Sequence, residues 1–238
     1  MKELSGDEIR SVIARASQDP AQRKARLDFL SCASDAFRDV GEMLHVFGHI
    51  LGDDRKSGLS PFGHGDDEKV GIALLLQIAA QIVSASTQLL QDGRAYAGCA
   101  LIRQLVEVEY LAWAFETRDA EAARWLRSDK KERQNFFAPR ILRDAANGKF
   151  RAKDYSYHCE MGGHPTPFAS SLLKNDDEIN QLMLGDMITH ARKIWVHLGT
   201  WAVGSNAGSM FHKHNDRLFE LWSAWRQIDE LCEMPPPP

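Results

Sequence analysis

The stretch that decides the fold is VGIALLLQIAAQIVSASTQLLQ, residues 70–91, which carries no charged side chain over its 22 positions. It is followed by Asp92-Gly93, a turn signal, and then by RAYAGCALIRQLVEVEYLAWAFET, residues 94–117. Both segments are long, apolar and free of proline, so they predict two helices joined by a tight turn. We therefore expect an αα-hairpin at the centre of the fold.

The uncharged segment is long enough to cross a membrane. However, polar side chains recur along it at alternating spacings of four and three residues, which places them on one stripe of a helix. A lipid-facing span has little reason to carry such a stripe. We predict a buried bundle helix and no membrane association, with the stripe facing solvent, a cavity or a partner subunit. The stripe consists of Gln77, Gln81, Ser84, Gln88 and Gln91.

The rest of the chain also shows apolar residues at helical spacing, and no strand pattern stands out. The fold class that follows is all-α: an up-and-down helical bundle around the central hairpin, in a single domain of residues 1–234. Residues 52–65 are predicted to form a loop and residues 235–238, all proline, a frayed tail. The further helices are predicted at residues 6–18, 20–51, 176–203 and 211–231.

The net charge of −4 is not typical of a nucleic-acid-binding protein, but the charge is unevenly distributed. Between Arg118 and Asp154 there are 11 basic and 6 acidic residues. We predict that residues 118–153 form a small, basic, peripheral helical lobe that is interrupted near Pro139. Its positive charge fits either a phosphate-facing patch or a solvated helical surface.

Two further expectations concern compartment and assembly. The four cysteines are far apart and form no CxxC pair, and no secretory leader is evident, so we predict a reduced, cytoplasmic protein. The uncharged helix and the tryptophan-rich C-terminal helix offer more apolar surface than one bundle core readily absorbs. A homodimer is therefore expected.

The segment YSYHCEMGGHPTP, residues 155–167, gathers proton-transfer side chains around Gly162-Gly163 and His164-Pro165. A helix does not easily continue through two glycines, and a proline biases the residue before it towards an extended backbone. We predict a rigid, non-helical elbow at this point.

The second hairpin helix places Arg103, Glu107 and Tyr110 on one face through spacings of four and three residues. This pattern fits either an exposed ion pair, which stabilises a helix slightly, or a polar cluster that points into the bundle. A buried charge needs a partner, and the elbow offers Tyr155 and His164. We expect His164 to be a buried side chain that hydrogen-bonds Glu107 or Tyr155.

The motif Arg103-x3-Glu107-x2-Tyr110, followed by Tyr155 and His164-Pro165, resembles a family of bacterial helical proteins of unknown function. More distantly it resembles the HEPN group of helical bundles, which occur in toxin–antitoxin and phage-defence systems. The resemblance covers roughly residues 95–167.

Active HEPN members cleave RNA without a metal, usually as dimers, through an Arg-x4-6-His motif on a late helix. The resemblance implies Arg192 and His197 as catalytic residues, RNA as a partner and no cofactor. A histidine in this role moves the 2′-hydroxyl proton, and the arginine stabilises charge on the phosphorane. Lys193 departs from the small polar residue that often follows the arginine in that group.

A metal site is the alternative. Carboxylate and imidazole groups that face each other across a bundle resemble the ligands of di-iron proteins, although only one Glu-x-x-His motif is present. The same histidines also fit the polar border of an amphipathic helix. The candidate ligands are Glu42, His45 and His49 on one helix and His190 on a late helix, where Asp186, His190 and His197 nearly line up.

Three classes of function remain open. The chain is a defence- or toxin-type protein that acts on RNA, a metal-dependent bundle enzyme, or a non-catalytic dimeric interaction module in which the polar cluster is structural. The sequence contains no phosphate loop, dinucleotide fingerprint or hydrolase elbow motif that would add a further class.

Overall fold

The computed structural model describes residues 6–50, 65–150, 152–174 and 176–233. Within these residues the chain is helical, with turns and no strand, which confirms the all-α prediction. Three predicted features lie wholly or largely outside the described residues: the helix end at Leu51, residues 52–64 of the loop predicted at 52–65, and the prolines 235–238.

The helices begin and end close to the predicted positions. They are α1 (Gly6–Gln18), α2 (Pro20–Ile50), α3 (Asp67–Gln91), α4 (Ala95–Thr117), α5 (Glu121–Arg127), α6 (Lys130–Glu132), α7 (Pro139–Ala145), α8 (Ala152–His158), α9 (Asp177–Gly204) and α10 (Gly208–Ile228). Two π-helical turns, Arg133–Phe137 and Cys159–Gly163, and two 3-10 turns, Pro167–Leu173 and Glu230–Glu233, complete the described chain.

The predicted hairpin is formed by α3 and α4. Asp66 caps the start of α3 by accepting a hydrogen bond from the backbone N–H of Lys69. The helix ends at Gln91, and Gly93 reverses the chain with a φ of 72°, which a residue with a side chain seldom adopts.

Helices α2, α3 and α4 alternate in direction. Ser34 of α2 bonds Ala80 of α3, whereas Gln77 of α3 reaches back to Gly41 of α2. Helix α9 packs along α4 and runs in the same direction, because the chain between them returns to the end at which α4 begins. The core lies between these four helices, and α10 packs against α2.

Helix α3 is the one described helix that is long and apolar enough to cross a membrane. In the fold, 61% of its most apolar window is buried inside the bundle. The polar stripe faces solvent from Gln81 to Gln91, and Gln77 donates a hydrogen bond to the Gly41 carbonyl. These positions agree with the prediction of a bundle helix whose stripe is on the surface.

A buried ion pair ties α2 to the C-terminal turn. Arg26 and Asp229 are both fully buried, and the guanidinium donates two hydrogen bonds to the carboxylate, at 2.6 and 2.7 Å. Gln181 of α9 accepts a third bond from Arg26, and Trp225 donates one to Asp229. This network joins α2, α9 and α10 at one end of the bundle.

The segment from Arg118 to Phe150 consists of short helices beside α3 and α4. Part of its positive charge is neutralised by ion pairs within the fold, which agrees with a solvated helical surface. These pairs are Arg124 with Glu121 and Glu132, Arg127 with Asp67, and Arg140 with Asp144. Pro139 is the first residue of α7.

Several apolar side chains are exposed on the surface of the single chain, among them Ile78 of α3, Val203 of α9 and Phe219 of α10. Four of the six tryptophans are buried. The homodimer stays a prediction.

Candidate functional site

The backbone at His164 is non-helical, as predicted, but the expectation that the helix stops at Gly162-Gly163 is wrong, because a π-helical turn runs through both glycines. Helix α8 passes into the π-helical turn Cys159–Gly163, and the chain leaves it at His164 with extended backbone angles, φ −136° and ψ 149°. Gly162 lies against α4 so closely that a Cβ atom there would be 2.6 Å from the backbone nitrogen of Ala100. The glycine therefore allows the elbow to pack on α4.

Arg103, Glu107 and Tyr155 form a half-buried cluster where α8 meets α4. The Tyr155 hydroxyl donates to Glu107 Oε1 at 2.9 Å and accepts from Arg103 at 3.0 Å, while the two charged groups are 2.7 Å apart. Burial raises the pKa of Tyr155 to about 12, so its phenol stays protonated at neutral pH. The structure thus brings together three of the five residues of the predicted cluster by direct polar contacts.

The expected position of His164 is wrong. Its side chain is exposed, and its hydrogen bonds within the described residues are made by the backbone, to Cys159 and Thr166. The reason is that Gly163, not His164, lies against the Arg103 side chain, so the extended chain carries His164 outwards. Tyr110 is buried beside the cluster, but it contacts Tyr155 and Phe150 through its ring, and its hydroxyl has no hydrogen-bond partner.

A second group of polar side chains lies next to this cluster. The sequence analysis did not predict that these residues meet. The group consists of two Asp-x3-His pairs, Asp154 with His158 on α8 and Asp186 with His190 on α9. Asp186 Oδ2 is 3.4 Å from His158 Nε2, and Asp186 Oδ1 is 3.6 Å from His190 Nε2. Asp154 Oδ1 is 3.8 Å from His158 Nε2. Both imidazoles are almost completely buried.

The cluster has a supporting carboxylate on α4. Glu109, which is 2% exposed, contacts His190 Nδ1 through Oε2 at 2.5 Å and Lys193 through Oε1 at 3.3 Å. A carboxylate on Nδ1 fixes the ring so that Nε2 faces the cluster. Burial disfavours the charged form of Glu109, but His190 and Lys193 outweigh it and lower the pKa of this carboxyl.

The two histidines respond differently to their surroundings. Burial lowers the pKa of His158, and Asp186 opposes this only in part, so His158 is neutral at pH 7. Burial also acts on His190, but Asp186 and Glu109 outweigh it and raise its pKa. The His158 imidazole can therefore act as a neutral ligand, whereas the His190 imidazole holds its second proton more strongly.

The spacing of the donor atoms suits a metal ion better than hydrogen bonds. Contacts of 3.4 to 3.8 Å are longer than protein hydrogen bonds, and His158 Nε2 and Asp186 Oδ2 are buried without a hydrogen-bond partner. A tetrahedral ion with bonds of about 2.0–2.1 Å separates its ligand atoms by roughly 3.4 Å. One ligand atom each from Asp154, His158 and His190 lies within 4.8 Å of the other two.

The net charge of the group and its exposure to solvent also fit a metal ion. Metal binding requires both histidines to be neutral; the carboxylates of Asp154, Asp186 and Glu109 and the ammonium of Lys193 then give the group a net charge of −2, which a divalent cation neutralises. The Asp154 and Asp186 side chains are 24% and 23% exposed. Solvent therefore reaches the group from the carboxylate side.

Arg192 and His197 are not brought together within the chain. The Arg192 guanidinium stacks 3.8 Å above the Trp222 ring of α10, whereas His197 Nδ1 pairs with Glu116 of α4. Five residues turn a helix by about 140°, which directs the two side chains to different neighbours.

The alternative metal set is also not brought together as predicted. In the part of the chain that the structure describes, the one group of His, Cys, Asp and Glu atoms close enough to share an ion contains His190, but with Asp154 and His158. Glu42 is exposed. The half-buried rings of His45 and His49 contact each other, with their ring centroids 4.6 Å apart. His190 faces α4 and α8 instead of these residues because Glu109 orients its ring.

Comparisons with protein-family models, curated proteins and solved structures gave no match for this chain. The site is therefore interpreted from its own residues. A signal in the sequence pointed to it: Asp154-x3-His158 and Asp186-x3-His190 repeat one spacing that places both side chains on the same face of a helix. Glu109 was a second signal, as a carboxylate within an apolar helix.

Proposed function

We propose that the protein is a metal-binding helical bundle that holds one divalent transition-metal ion with Asp154, His158, Asp186 and His190. The observation that carries the proposal is the buried Nε2 atom of His158, which makes no hydrogen bond although it lies 3.4 Å from Asp186 and beside His190. A buried polar atom without a partner costs free energy, and an ion at this position would remove that cost.

The ligand types indicate the class of ion. Two imidazoles and two carboxylates suit zinc, iron, manganese or cobalt better than magnesium or calcium, which prefer oxygen ligands. Glu109 would act as the outer carboxylate that orients a histidine ligand, an arrangement typical of protein metal sites. An ion reached by solvent on the carboxylate side would provide a Lewis acid.

The test is a titration of untagged, chelator-treated protein with Co²⁺ or Zn²⁺, followed by calorimetry and by the visible absorption of Co²⁺. The expected result is one ion per chain in the wild type and loss of binding in His158→Ala and His190→Ala. The control is His45→Ala, which removes a histidine outside the group and should bind normally. Binding that is absent in the wild type, or that depends on His45 instead of His158, would reject the proposal.

RNA cleavage by Arg192 and His197 stays a prediction. Because the two side chains contact different helices, a composite site would require residues from a second copy of the chain. The test is incubation of pure, metal-free protein with RNA. Degradation that disappears in His197→Ala would support this function, and intact RNA would reject it.

A further inference from the structure

Helices α9 and α10 expose a pair of neighbouring aromatic rings and two aliphatic side chains at the surface. The Phe219 side chain is 65% exposed, and its ring centroid lies 6.1 Å from that of Trp222, one turn further along α10. On α9, the exposed Val196 and Val203 follow Arg192 at spacings that keep all three on one side of the helix, and Arg192 contacts Trp222. We call this surface the α9–α10 face. Exposed apolar and aromatic side chains beside arginine are typical of a protein–protein interface.

Two guanidinium groups gather on the Trp222 ring. The guanidinium of Arg192 lies 3.8 Å from the ring centre and that of Arg226 lies 5.2 Å from it. Arg192 is half-buried and forms no ion pair with a carboxylate among the described residues. Burial and, after it, the charge of Arg226 lower the pKa of Arg192, so the two cations are close enough to repel each other. A carboxylate supplied from outside the chain would stabilise this position.

The same side of α10 carries an exposed carboxylate. Asp216 has no ion pair within the part of the chain that the structure describes, and the neighbouring Arg217 pairs with Glu220 instead. Asp216 lies three residues before Phe219, whereas Trp222 lies three residues after it. At 1.5 Å per residue, the acid and the guanidinium-bearing ring lie about 4.5 Å from Phe219 along the helix axis, in opposite directions. The face therefore carries opposite charges on the two sides of one exposed ring.

We propose that Phe219 lies at the two-fold axis of a homodimer whose interface is the α9–α10 face. An axis that passes beside Phe219, perpendicular to the line from Asp216 to Trp222, exchanges the two sides of the face. The Phe219 rings of the two copies then pack on each other, and Asp216 of each copy faces the guanidinium groups on Trp222 of the other. A purely acidic partner would place its charge against Asp216. A second copy of the chain matches both sides of the face.

The area of the face fits a dimer. Helix α10 has 21 residues and is therefore about 31 Å long. Because packed helices lie about 8–10 Å apart, α9 and α10 side by side present roughly 600 Å² in flat outline. A standard interface buries about 800 Å² of accessible surface on each partner, and accessible surface exceeds its flat outline. The two helices can thus supply an interface of ordinary size.

The test is sedimentation velocity of the full, untagged chain at micromolar concentrations. We expect a dimer in the wild type and a monomer in Phe219→Asp, because this substitution places two like charges at the axis. The matched control is Phe168→Asp, since Phe168 is 57% exposed on the turn Pro167–Leu173, outside the α9–α10 face, and this variant should remain a dimer. A monomeric wild type, or the same behaviour of both phenylalanine variants, would overturn the proposed interface.

Charge reversal tests the pairing across the axis and does not depend on the folding of Phe219→Asp. Asp216→Arg should raise the Kd of the dimer about tenfold, because it places a cation opposite two arginines. Adding Arg226→Asp to this variant restores opposite charges and should recover part of the affinity. The control is Asp7→Arg, which makes the same change at an exposed position of α1 and should leave the Kd unchanged. An unchanged Kd in Asp216→Arg, or a double variant weaker than Asp216→Arg alone, would contradict the pairing.

Discussion

Glu109→Gln isolates the role of the buried carboxylate on α4. The substitution keeps the size of the side chain but removes the negative charge that keeps a proton on His190 Nδ1. An amide can present either its oxygen or its nitrogen to this atom, so the ring orientation that directs Nε2 towards the ion is no longer enforced.

The expected magnitude follows from the position of Glu109 behind a ligand. Loss of an outer-shell partner of this kind weakens metal affinity about 10- to 100-fold. That range corresponds to ~1.4–2.7 kcal/mol of binding free energy. Because the glutamine oxygen can still accept the Nδ1–H bond part of the time, we expect a loss near tenfold.

The assay is competition for Zn²⁺ between the protein and a chromophoric chelator of known affinity. Glu107→Gln is the matched control, since it makes the same change two residues away on the same helix. Glu107 bonds Tyr155 and Arg103 and does not contact either histidine, so its loss should leave Zn²⁺ affinity nearly unchanged. Equal Zn²⁺ affinities in the wild type and Glu109→Gln would show that Glu109 does not support the metal site, and so would equal losses of affinity in Glu109→Gln and Glu107→Gln.

Three further predictions concern stability and pH. Asp229→Asn leaves the buried Arg26 charge without its counter-charge and should lower the free energy of unfolding by ~3–5 kcal/mol in urea denaturation. Gly162→Ala meets the backbone of α4 and should cost ~1–3 kcal/mol, as calorimetry would show. Gly163→Ala should cost less, because its closest contact is the flexible Arg103 side chain and the nearest backbone atom, the His158 carbonyl oxygen, is 3.3 Å away. Because neighbouring carboxylates raise the pKa of His190 above its ordinary value of 6.5, Co²⁺ affinity should increase as the pH rises through the raised pKa.

The same raised pKa has a consequence for the metal-free protein. A raised value means that the charged His190 contributes folding stability that is fully present below pH 6.5 and is lost as the pH rises through the folded-state value. Thermal melting across this range should show this loss of stability, and Co²⁺ should reverse it.

The control for Asp229→Asn is Asp7→Asn. The ion pair between Asp7 and Arg10 is exposed, so its loss should leave the melting temperature unchanged. Similar losses of stability in Asp229→Asn and Asp7→Asn would contradict the first prediction. Similar losses of stability in Gly162→Ala and Gly163→Ala would contradict the second.

The fold could be predicted because its determinants are local. An uncharged run of 22 residues, the Asp92-Gly93 turn and a second apolar run define the hairpin without reference to the rest of the chain. The Arg103 and Glu107 pair was predictable for the same reason, since residues four apart share a helix face. The extended backbone at His164 followed from the proline after it, whereas the helical conformation of Gly162 and Gly163 did not follow from the intrinsic preferences of glycine.

The composition of the site depends on packing that local patterns do not encode. Glu109 and His190 are 81 positions apart, and they meet because α9 runs parallel to α4 after the chain returns through the peripheral segment. His164 was misplaced by a single residue of register at the end of the π-helical turn, which put Gly163 against Arg103. The buried pair of Arg26 and Asp229, which are 203 positions apart in the sequence, was missed for the same reason.

The central claim is that His158 and His190 share one divalent ion with Asp154 and Asp186. Diffraction data from crystals soaked in Zn²⁺, recorded on either side of the zinc absorption edge, would test it most directly. We predict an anomalous difference peak bonded to the Nε2 atoms of both histidines. No peak there, or a peak only between His45 and His49, would contradict it.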